Sequence, residues 1–424
     1  MGIPTITYAF TNETVEYRPV IFFLFNTIEQ RLNVQFSITE IEGAADIIFG
    51  ETYPLRKEIY KYFLLNKPCE AHFIKGIHIY KDDAARTLDP LGSMFYILNC
   101  LSEPEAMKKS TDPHGRLTFK ESDYSKFHNS YSDLITPLMR IFLKNYAGME
   151  FADTNCKRNV ILTHDVDFLR SGFRQELSYF FKKPGFSLAW RLLLHLLSIK
   201  KLWSNIESVI ELEKKFDYHS VFYFIPKNGT FRGIKNADYK KPCLKRAMDL
   251  VYRNKMECGL HKSSYDMPYH EEVYRLGHDV WSNRNHFLRY DLPRTWREIS
   301  DSFISIDTGL GWSDQEGLRN GYPAPFNPYG TQLTVVPLVI MDTTFDNYKK
   351  GRSIVQAFKE MEKEWTDGYC VSILFHNNFL TPWSNKYYLD QYMELLEYFK
   401  KEGVEVTRTA CMMKKFQPRI NQCI

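Results

Sequence analysis

The sequence predicts an α/β protein in which a smaller N-terminal α/β domain precedes a C-terminal domain of about seven strand and helix units. The chain has 424 residues, which is too long for one ordinary hydrophobic core. Hydrophobic residues make up 44% and charged residues 25% of it, as is typical of globular proteins. From residue 159 onward, apolar strand-like runs alternate with helix-like runs. This alternation predicts parallel strands in a barrel or in a doubly wound sheet.

The N-terminal elements are predicted from short apolar runs. VIFFLFNTIEQRL predicts a helix, ADIIFG a short strand and FIKGIHIY another strand. LGSMFYILNCLSEPEA and LITPLMRIFLKNYAG predict two more helices, and Gly148 ends the second. The polar segment that follows marks a domain boundary. We therefore expect a companion domain over residues 1–150 and a second domain over residues 155–424.

Seven strands are predicted in the C-terminal domain: NVILTHDVD, SVFYFIP, KMECGLH, ISIDTGLG, LTVVPLVIMD, YCVSILFHN and VEVTRTA. Ligands bind at the carboxyl ends of parallel strands. Polar residues able to do chemistry lie at the ends of several of these strands, namely Asp165, Asp167, His261, Asp307, Asp342 and His376. Aspartates also favour such turns as helix caps, which explains Asp342 and Asp307 without a site but explains the histidines less well.

Composition disfavours several classes of function and partner. The net charge is +4, from 55 basic and 51 acidic residues, and no basic run indicates nucleic-acid binding. The eight cysteines form no CxxC pair, which fits free thiols in a reducing cytosol. The first residues lack the pattern of a signal peptide, and no apolar run reaches the length of a membrane span. We therefore expect a cytoplasmic protein without a transmembrane span.

Residues 187–203, SLAWRLLLHLLSIKKLW, form an unusually apolar segment. The segment is too short and too interrupted to cross a bilayer. It either lies between the two domains or makes a peripheral contact with a membrane surface. The second possibility would favour a lipid-linked substrate.

Three segments carry candidate chemistry. ILTHDVD ends in two carboxylates, and on an extended chain Asp165 and Asp167 face the same side. One of them could hold a cation while the other acts as a general base, although a capped turn would also explain the pair. His261 ends the run ECGLH, where a ligand or an acid–base group belongs. His376 ends SILFH, where an imidazole could protonate a leaving amine.

These segments resemble the motifs of the polysaccharide deacetylases of carbohydrate esterase family 4. ILTHDVD is similar to the first motif, ECGLH to the strand before the histidine motif, RNHF to the third motif and ILFH to the last. The resemblance covers roughly residues 155 to 415 and implies a distorted (β/α)7-type barrel. DPLGSMFYILNCLSEPEA and DPHGRL resemble the companion domain of one branch of such proteins, while GLRNGYPAPFNPYG and PLVIMDTTF resemble segments of that branch's barrel.

The resemblance also implies roles for individual residues. It implies that Asp165 is the base, that Arg284 orients this base, and that His376 is the acid. It implies that Asp167 and His261 bind a divalent metal, which we expect to be zinc. The residues expected to contact the substrate are Tyr265, Leu374, Arg319 and Asp342.

The sequence departs from the family motif at one position. Tyr265 stands where the second motif histidine is expected, four residues after His261. A catalytic metal site usually keeps three protein ligands, so a replacement is needed. His286 is the best-placed candidate, because His270 and His278 fall in a helix-like stretch. The alternative is that no metal binds.

The expected function is removal of an N-acetyl group from an amino sugar or glycan precursor by a metal-dependent hydrolase. Two alternatives remain open. The same scaffold could hydrolyse another amide, such as a formamide or a cyclic ureide. The chain could also be a non-catalytic glycan-binding protein, which the aromatic content of 15% and Tyr265 would favour.

Overall fold

The structure of the protein is a computed structural model. It describes residues 3–53, 72–74, 77–82, 87–122, 124–126, 128–150, 157–169, 205–277, 280–381 and 386–415, with a few isolated positions between 170 and 204. The apolar segment 187–203 lies largely outside the described residues, as does His278. Among the residues that the structure describes, no helix is both long and apolar enough to cross a membrane.

A small parallel sheet opens the chain. Strand β1 (Thr5–Phe10) lies between β2 (Gln35–Ile38) and β3 (Ile47–Phe49). Helix α1 (Arg18–Arg31) connects β1 to β2 and buries one apolar face in the core. Proline at the start of α1 suits a helix N-terminus, where the missing N–H has no partner to lose. The predictions of α1 and β3 are confirmed.

An antiparallel sheet follows, made of β4 (His72–Ile74), β5 (Ile77–Asp82) and β6 (Thr87–Asp89). The single strand predicted for FIKGIHIY was therefore wrong. Ile74 pairs with Ile77 in an antiparallel ladder, so the chain reverses within that run.

Among the described residues, three α-helices follow in the N-terminal part: α2 (Pro90–Leu98), α3 (Glu103–Lys109) and α4 (Ile135–Ala147). The sequence predicted α2 and α3 as one helix. The break lies at Cys100, whose φ of 52° is left-handed and incompatible with a continuing helix. Helix α4 ends as predicted, at Gly148 with a φ of 63°, because glycine adopts this conformation without steric cost.

The second part of the chain is a closed barrel of seven parallel strands. The strands of this part are β7 (Arg158–Val166), β8 (Ser220–Phe224), the hairpin β9 (Thr230–Phe231) and β10 (Ile234–Lys235), then β11 (Glu257–Lys262), β12 (Ser282–Asn285), β13 (Ile306–Leu310), β14 (Thr334–Met341), β15 (Tyr369–Leu374) and β16 (Glu405–Val406). Strand β15 pairs back with β7, which closes the barrel, and β16 pairs beside it with β7. The hairpin β9–β10 stands outside the barrel. The predicted (β/α)7-type barrel is confirmed.

Helices surround the barrel, and their bounds are α5 (Ile206–Lys214), α6 (Lys241–Arg253), α7 (Tyr269–Leu276), α8 (Arg294–Ser300), α9 (Asp342–Tyr348), α10 (Ile354–Glu364), α11 (Lys386–Glu402) and α12 (Thr409–Lys415). Helix α6 shows why these segments are helical. It buries Leu244, Ala247, Met248 and Val251, which follow the spacing of one helical face. Register shifts on both sides of β14 distort the barrel.

Strand β12 was not predicted from the sequence. Its four residues, Ser-Asn-Arg-Asn, are all buried, and it pairs with β11 and β13. Asp307 is the second residue of β13 and accepts a hydrogen bond from Asn283 at 2.9 Å. It therefore lies inside the barrel wall and not at the carboxyl end of a strand, where the sequence predicted it.

The N-terminal part and the barrel share one hydrophobic core. A Cβ on Gly317 would lie 2.3 Å from the backbone oxygen of Ser130, and Gly317 has a φ of +113°. Only glycine fits such an approach without strain. Leu318 N–H donates to the same Ser130 oxygen at 2.6 Å, and Leu134 N–H donates to the Gly321 oxygen at 2.7 Å. The GLRNG segment of the barrel is thus bonded to the N-terminal part, while the boundary near residue 150 stays a prediction.

Candidate active site

The carboxyl ends of four barrel strands and the residues that follow them bring the predicted site residues together. Asp165 is the penultimate residue of β7, and Asp167 follows that strand directly. His261 lies in β11, His286 follows β12, and His376 lies just beyond β15. Asp165, His261 and His286 are buried, whereas the side chains of Asp167 and His376 are each 13% exposed at the mouth of the barrel.

Asp167, His261 and His286 form a cluster that fits a metal ion. Each offers one donor atom, and the three donor atoms lie within 4.8 Å of one another. His261 Nε2 lies 3.4 Å from one carboxylate oxygen of Asp167, and His286 Nε2 lies 3.8 Å from the other. Among the described residues, Asp167 Oδ1 and His261 Nε2 are buried without a hydrogen-bond partner. Buried polar atoms without partners are costly, and a cation would satisfy both.

The electrostatics of the cluster favour a positive charge between its three residues. His261 Nδ1 lies 2.9 Å from the carbonyl oxygen of Arg284, which only accepts, so Nδ1 carries a proton and Nε2 is the atom that faces the cluster. Burial alone would lower the pKa of His261, but Asp165 and Asp167 raise it, so a bound cation would take the place of a proton on Nε2. Burial lowers the pKa of His286 to about 4, which leaves this imidazole neutral. Burial alone would raise the pKa of Asp167, but His286, His261 and His376 together hold it well below its usual range. A carboxylate and two neutral imidazoles are the forms that bind metal.

Arg284 fixes Asp165 beside this cluster. Its Nη1 donates to Thr163 Oγ1 at 2.7 Å and to Asp165 Oδ1 at 3.3 Å, and its Nη2 donates to the Thr308 backbone and hydroxyl oxygens at 3.0 Å. The guanidinium also lies 4.9 Å from the ring centroid of Tyr223. Arg284 is fully buried, so this network holds one rotamer. Asp165 Oδ2 is left facing His261 Nε2 at 3.4 Å.

His376 also lies beside the cluster and is held by Asp342. Its Nδ1 is 2.6 Å from Asp342 Oδ1, and its backbone N–H donates to Asp342 Oδ2 at 2.6 Å. Nε2 is therefore free to face Asp167, at 4.0 Å. Burial lowers the pKa of His376, but Asp342, then Asp167 and Asp165, outweigh burial and raise it to about 10. His376 is thus a protonated imidazolium at neutral pH.

The same contact determines the orientation of the Asp342 side chain. Both of its oxygens are engaged, one of them also by the Thr343 N–H at 2.7 Å, and the side chain is fully buried. Asp342 thus orients the imidazole of His376, and its contact with a substrate stays a prediction.

Tyr265 lies outside the ligand cluster. It lines a cavity of about 640 Å³ that opens beside His286 and is also bordered by Tyr290. The Tyr265 hydroxyl donates to the Asn228 backbone oxygen at 3.2 Å, and Lys227 Nζ lies 3.9 Å from the ring centroid. The residue that replaces the motif histidine is therefore part of the cavity wall, and its contact with a substrate stays a prediction.

The other two predicted substrate residues lie away from this cavity. Leu374 is fully buried in β15, where it pairs with Thr163. Arg319 is buried as well, and its Nε and Nη2 donate to the two carboxylate oxygens of Glu103 at 2.8 and 2.7 Å. Its Nη1 donates to the Gly311 oxygen at 3.2 Å. Arg319 thus joins the barrel to the N-terminal part, and its contact with a substrate stays a prediction.

One buried network was missed by sequence reasoning. His164 and Asp165 are successive residues of β7, and the side chains of successive strand residues point to opposite faces. The His164 side chain therefore points to the outer face of the barrel. There its Nε2 lies 2.7 Å from Glu213 Oε1, which also accepts from the Tyr392 hydroxyl at 2.5 Å. His164 Nδ1 contacts the Phe375 oxygen at 3.0 Å, which ties β7 to the end of β15. The available signal was Glu213 itself, a charged residue on the apolar face of α5.

No protein-family model and no curated relative matches the chain. Among solved structures, the chain is similar to a putative polysaccharide deacetylase from Mycobacterium smegmatis, with 12% identity over 64% of this chain and 96% of that chain and a TM-score of 0.40. It is similar to a CE4 family pseudoenzyme from Bacillus anthracis, with 11% identity over 62% and 67% and a TM-score of 0.33. It is also similar to a Puue allantoinase, with 13% identity over 61% and 89% and a TM-score of 0.36.

Proposed function

We propose that this chain is a metal-dependent hydrolase that removes an N-acetyl group from an amino sugar or glycan precursor. The observation that carries the proposal is the cluster of Asp167, His261 and His286, with Asp165 and His376 beside it. The motif resemblance to polysaccharide deacetylases selects the N-acetyl group among amides. A glycan-binding protein without activity would have no use for a fixed base and a fixed acid at the same cluster.

The residues divide the reaction between them. A divalent cation held by the three ligands would polarise the amide carbonyl, and two imidazoles with one carboxylate are a ligand set typical of zinc. Asp165, held in place by Arg284, accepts a proton from the attacking water. His376 donates the proton on Nε2 to the departing amine. The products are acetate and a free amino sugar.

The test separates metal binding from catalysis. Asp167→Ala, His261→Ala and His286→Ala are expected to lose bound zinc, measured on protein purified under zinc-replete conditions. Asp165→Asn is expected to keep the metal and to lose acetate release from N-acetylated sugars by about 100-fold or more, the usual contribution of a general base. His219→Ala is a matched control, because His219 precedes β8 at the opposite end of the barrel.

Two outcomes would refute the proposal. One is a wild-type protein that carries no zinc when zinc is supplied. The other is a metal-loaded protein that releases no acetate from any N-acetylated mono- or oligosaccharide. Release of formate, or opening of a cyclic ureide in the same assay, would assign the same residues to a different amide.

The position of the third ligand has its own test. Because Tyr265 contacts Lys227 and the Asn228 backbone oxygen, away from the cluster, Tyr265→His is not expected to restore zinc binding to His286→Ala. Restored occupancy in that double variant would show that position 265 can reach the cluster. The separation of position 265 from the cluster, inferred from its contacts, would then be wrong.

A further inference from the structure

We infer that the loop of residues 112–116, which belongs to the N-terminal part of the chain, positions the proposed metal ligand His286. The N-terminal part would then be a component of the metal site and not only a neighbour of the barrel. The inference rests on the proposed function, because it gives His286 the role of ligand.

The chain leaves His286 through a strained turn. Phe287 has a φ of 62° and Leu288 a φ of 51°, so two consecutive residues with side chains adopt the left-handed conformation. This conformation is unfavourable for residues other than glycine and persists only where the surroundings hold it. The direction in which the His286 imidazole leaves β12 therefore depends on contacts made by the turn.

The loop 112–116 makes these contacts. Arg116 Nη1 donates to the carbonyl oxygen of Phe287 at 3.0 Å. The ring of His114 stacks on the ring of Phe287, with centroids 4.7 Å apart and an angle of 25° between the planes. The Phe287 ring in turn lies 4.3 Å from the ring of His286. One residue of the loop thus holds the backbone of the turn, and another packs on a ring that supports the ligand.

Contacts within the loop 112–116 fix its conformation independently of the turn. The Asp112 carboxylate accepts from the backbone N–H groups of His114 and Arg116, both at 2.9 Å. It also accepts from Arg116 Nε at 2.7 Å and pairs with Nη2 at 2.7 Å. The Arg116 side chain is only 10% exposed. With Nε and Nη2 bound to Asp112, the Nη1 group is aimed at the Phe287 oxygen in a single orientation.

The position of the third ligand explains why such support is needed. His261 lies within β11, and its ring is held by the Arg284 carbonyl. His286 lies beyond the last residue of β12, so the strand ladder does not fix it. Partners of metal ligands commonly account for about 10- to 100-fold in metal affinity. We expect Arg116 and His114 to act in this range as positioning residues.

The experiment uses the full chain, freed of metal by a chelator and titrated with Co²⁺. Co²⁺ reports both affinity and, through its visible absorption, the ligand set. Arg116→Ala and His114→Ala are each expected to weaken Co²⁺ binding by about 10- to 100-fold and to change the spectrum. Arg116→Lys keeps a donor for the Phe287 oxygen and should recover part of the affinity. Arg140→Ala is the matched control, because Arg140 joins the N-terminal part to Asp367 before β15, at the other end of the barrel.

The outcomes separate the two proposals. Wild-type affinity and spectrum in both Arg116→Ala and His114→Ala would overturn the inference and leave the proposed function standing. An equal loss in Arg140→Ala would also overturn it, because the effect would then be a general loosening of the contact. If Arg116→Ala fails to fold, His114→Ala decides, since it leaves the Asp112 ion pair intact. If the wild-type chain binds no Co²⁺, the proposed function is refuted together with this inference.

Discussion

The ion pair between Glu103 and Arg319 provides the sharpest test of how the N-terminal part is joined to the barrel. The two side chains are 1% and 2% exposed, and the pair is bidentate at 2.8 and 2.7 Å. Glu103→Leu would leave a buried guanidinium without its counter-charge. We expect a loss of about 3 to 5 kcal/mol in the free energy of unfolding, as is usual when one partner of a buried pair is removed. An exposed ion pair would contribute about 1 kcal/mol or less.

A double-mutant cycle isolates the pair. Arg319→Met removes the charge while keeping most of the side-chain volume. The double variant Glu103→Leu with Arg319→Met contains no unpaired charge, so it should be more stable than Glu103→Leu alone. The assay is urea unfolding followed by tryptophan fluorescence, which is suitable because the Trp312 ring centroid lies 5.2 Å from the Arg319 guanidinium. The same transition should be seen by circular dichroism.

Two results would refute this reasoning. One is that each single variant lowers the free energy of unfolding by less than about 1 kcal/mol and that the two losses add in the double variant. This would show that the ion pair is solvated. A stable double variant with a strongly raised KM for substrate would show that Arg319 contacts the substrate, as the sequence predicted. An unchanged KM supports the position that the structure gives to Arg319.

Three further predictions concern the proposed acid His376, the buried carboxylate of Asp307 and Gly317, which lies where the N-terminal part meets the barrel. Asp342 raises the pKa of His376 more than any other residue, so Asp342→Asn should lower that pKa and move the alkaline limb of the pH profile of kcat/KM to lower pH. An unmoved limb would contradict the role of His376 as the acid. Burial raises the pKa of Asp307 to about 6. Because the unfolded pKa is lower, Asp307 contributes stability below about pH 4 that is lost as the pH rises through about 6, on the order of 3 kcal/mol. The stability of wild type relative to Asp307→Asn should therefore fall between about pH 4 and pH 7, and a constant difference would refute this. Gly317→Ala should lower stability by about 2 kcal/mol more than Gly351→Ala in urea unfolding, because both positions have positive φ but only the first meets a backbone oxygen, and equal losses would refute the clash.

The sequence was most informative where an apolar strand ends in a polar side chain. Strands β7, β11 and β15 are buried on both faces, so they read as apolar runs, and the next residues at the barrel mouth are polar. That pattern identified Asp165, His261 and His376 as candidates from the sequence alone. It failed for β12, whose residues are all polar. Asn283 and Arg284 donate hydrogen bonds to Asp307 and Thr308 inside the barrel, and such bonds leave no periodicity in a sequence.

Contacts between residues far apart in the chain could not be predicted from the sequence either. Arg319 meets Glu103 across 216 residues, and His376 meets Asp342 across 34. A composition or a spacing reveals that an arginine or an aspartate is present but not which buried group it must neutralise. For this reason the sequence assigned both Arg319 and Asp342 to the substrate, although burial among protein partners is what fixes their positions.

The register of the barrel is consistent with the proposal that His286 replaces the missing motif histidine. In the parallel pairing of β11 with β12, His261 lies opposite Arg284, so His286 follows the neighbouring strand only two residues further on. Metal ligands need to be close in space but need no fixed spacing in the sequence. A histidine at the end of the neighbouring strand can therefore bind the same cation as a histidine in the loop after His261. If the ligand is His286 and not residue 265, the segments after both strands are affected. The loop after β11 is free to place Tyr265 on the cavity wall, and the turn after His286 needs support that its own left-handed residues do not provide.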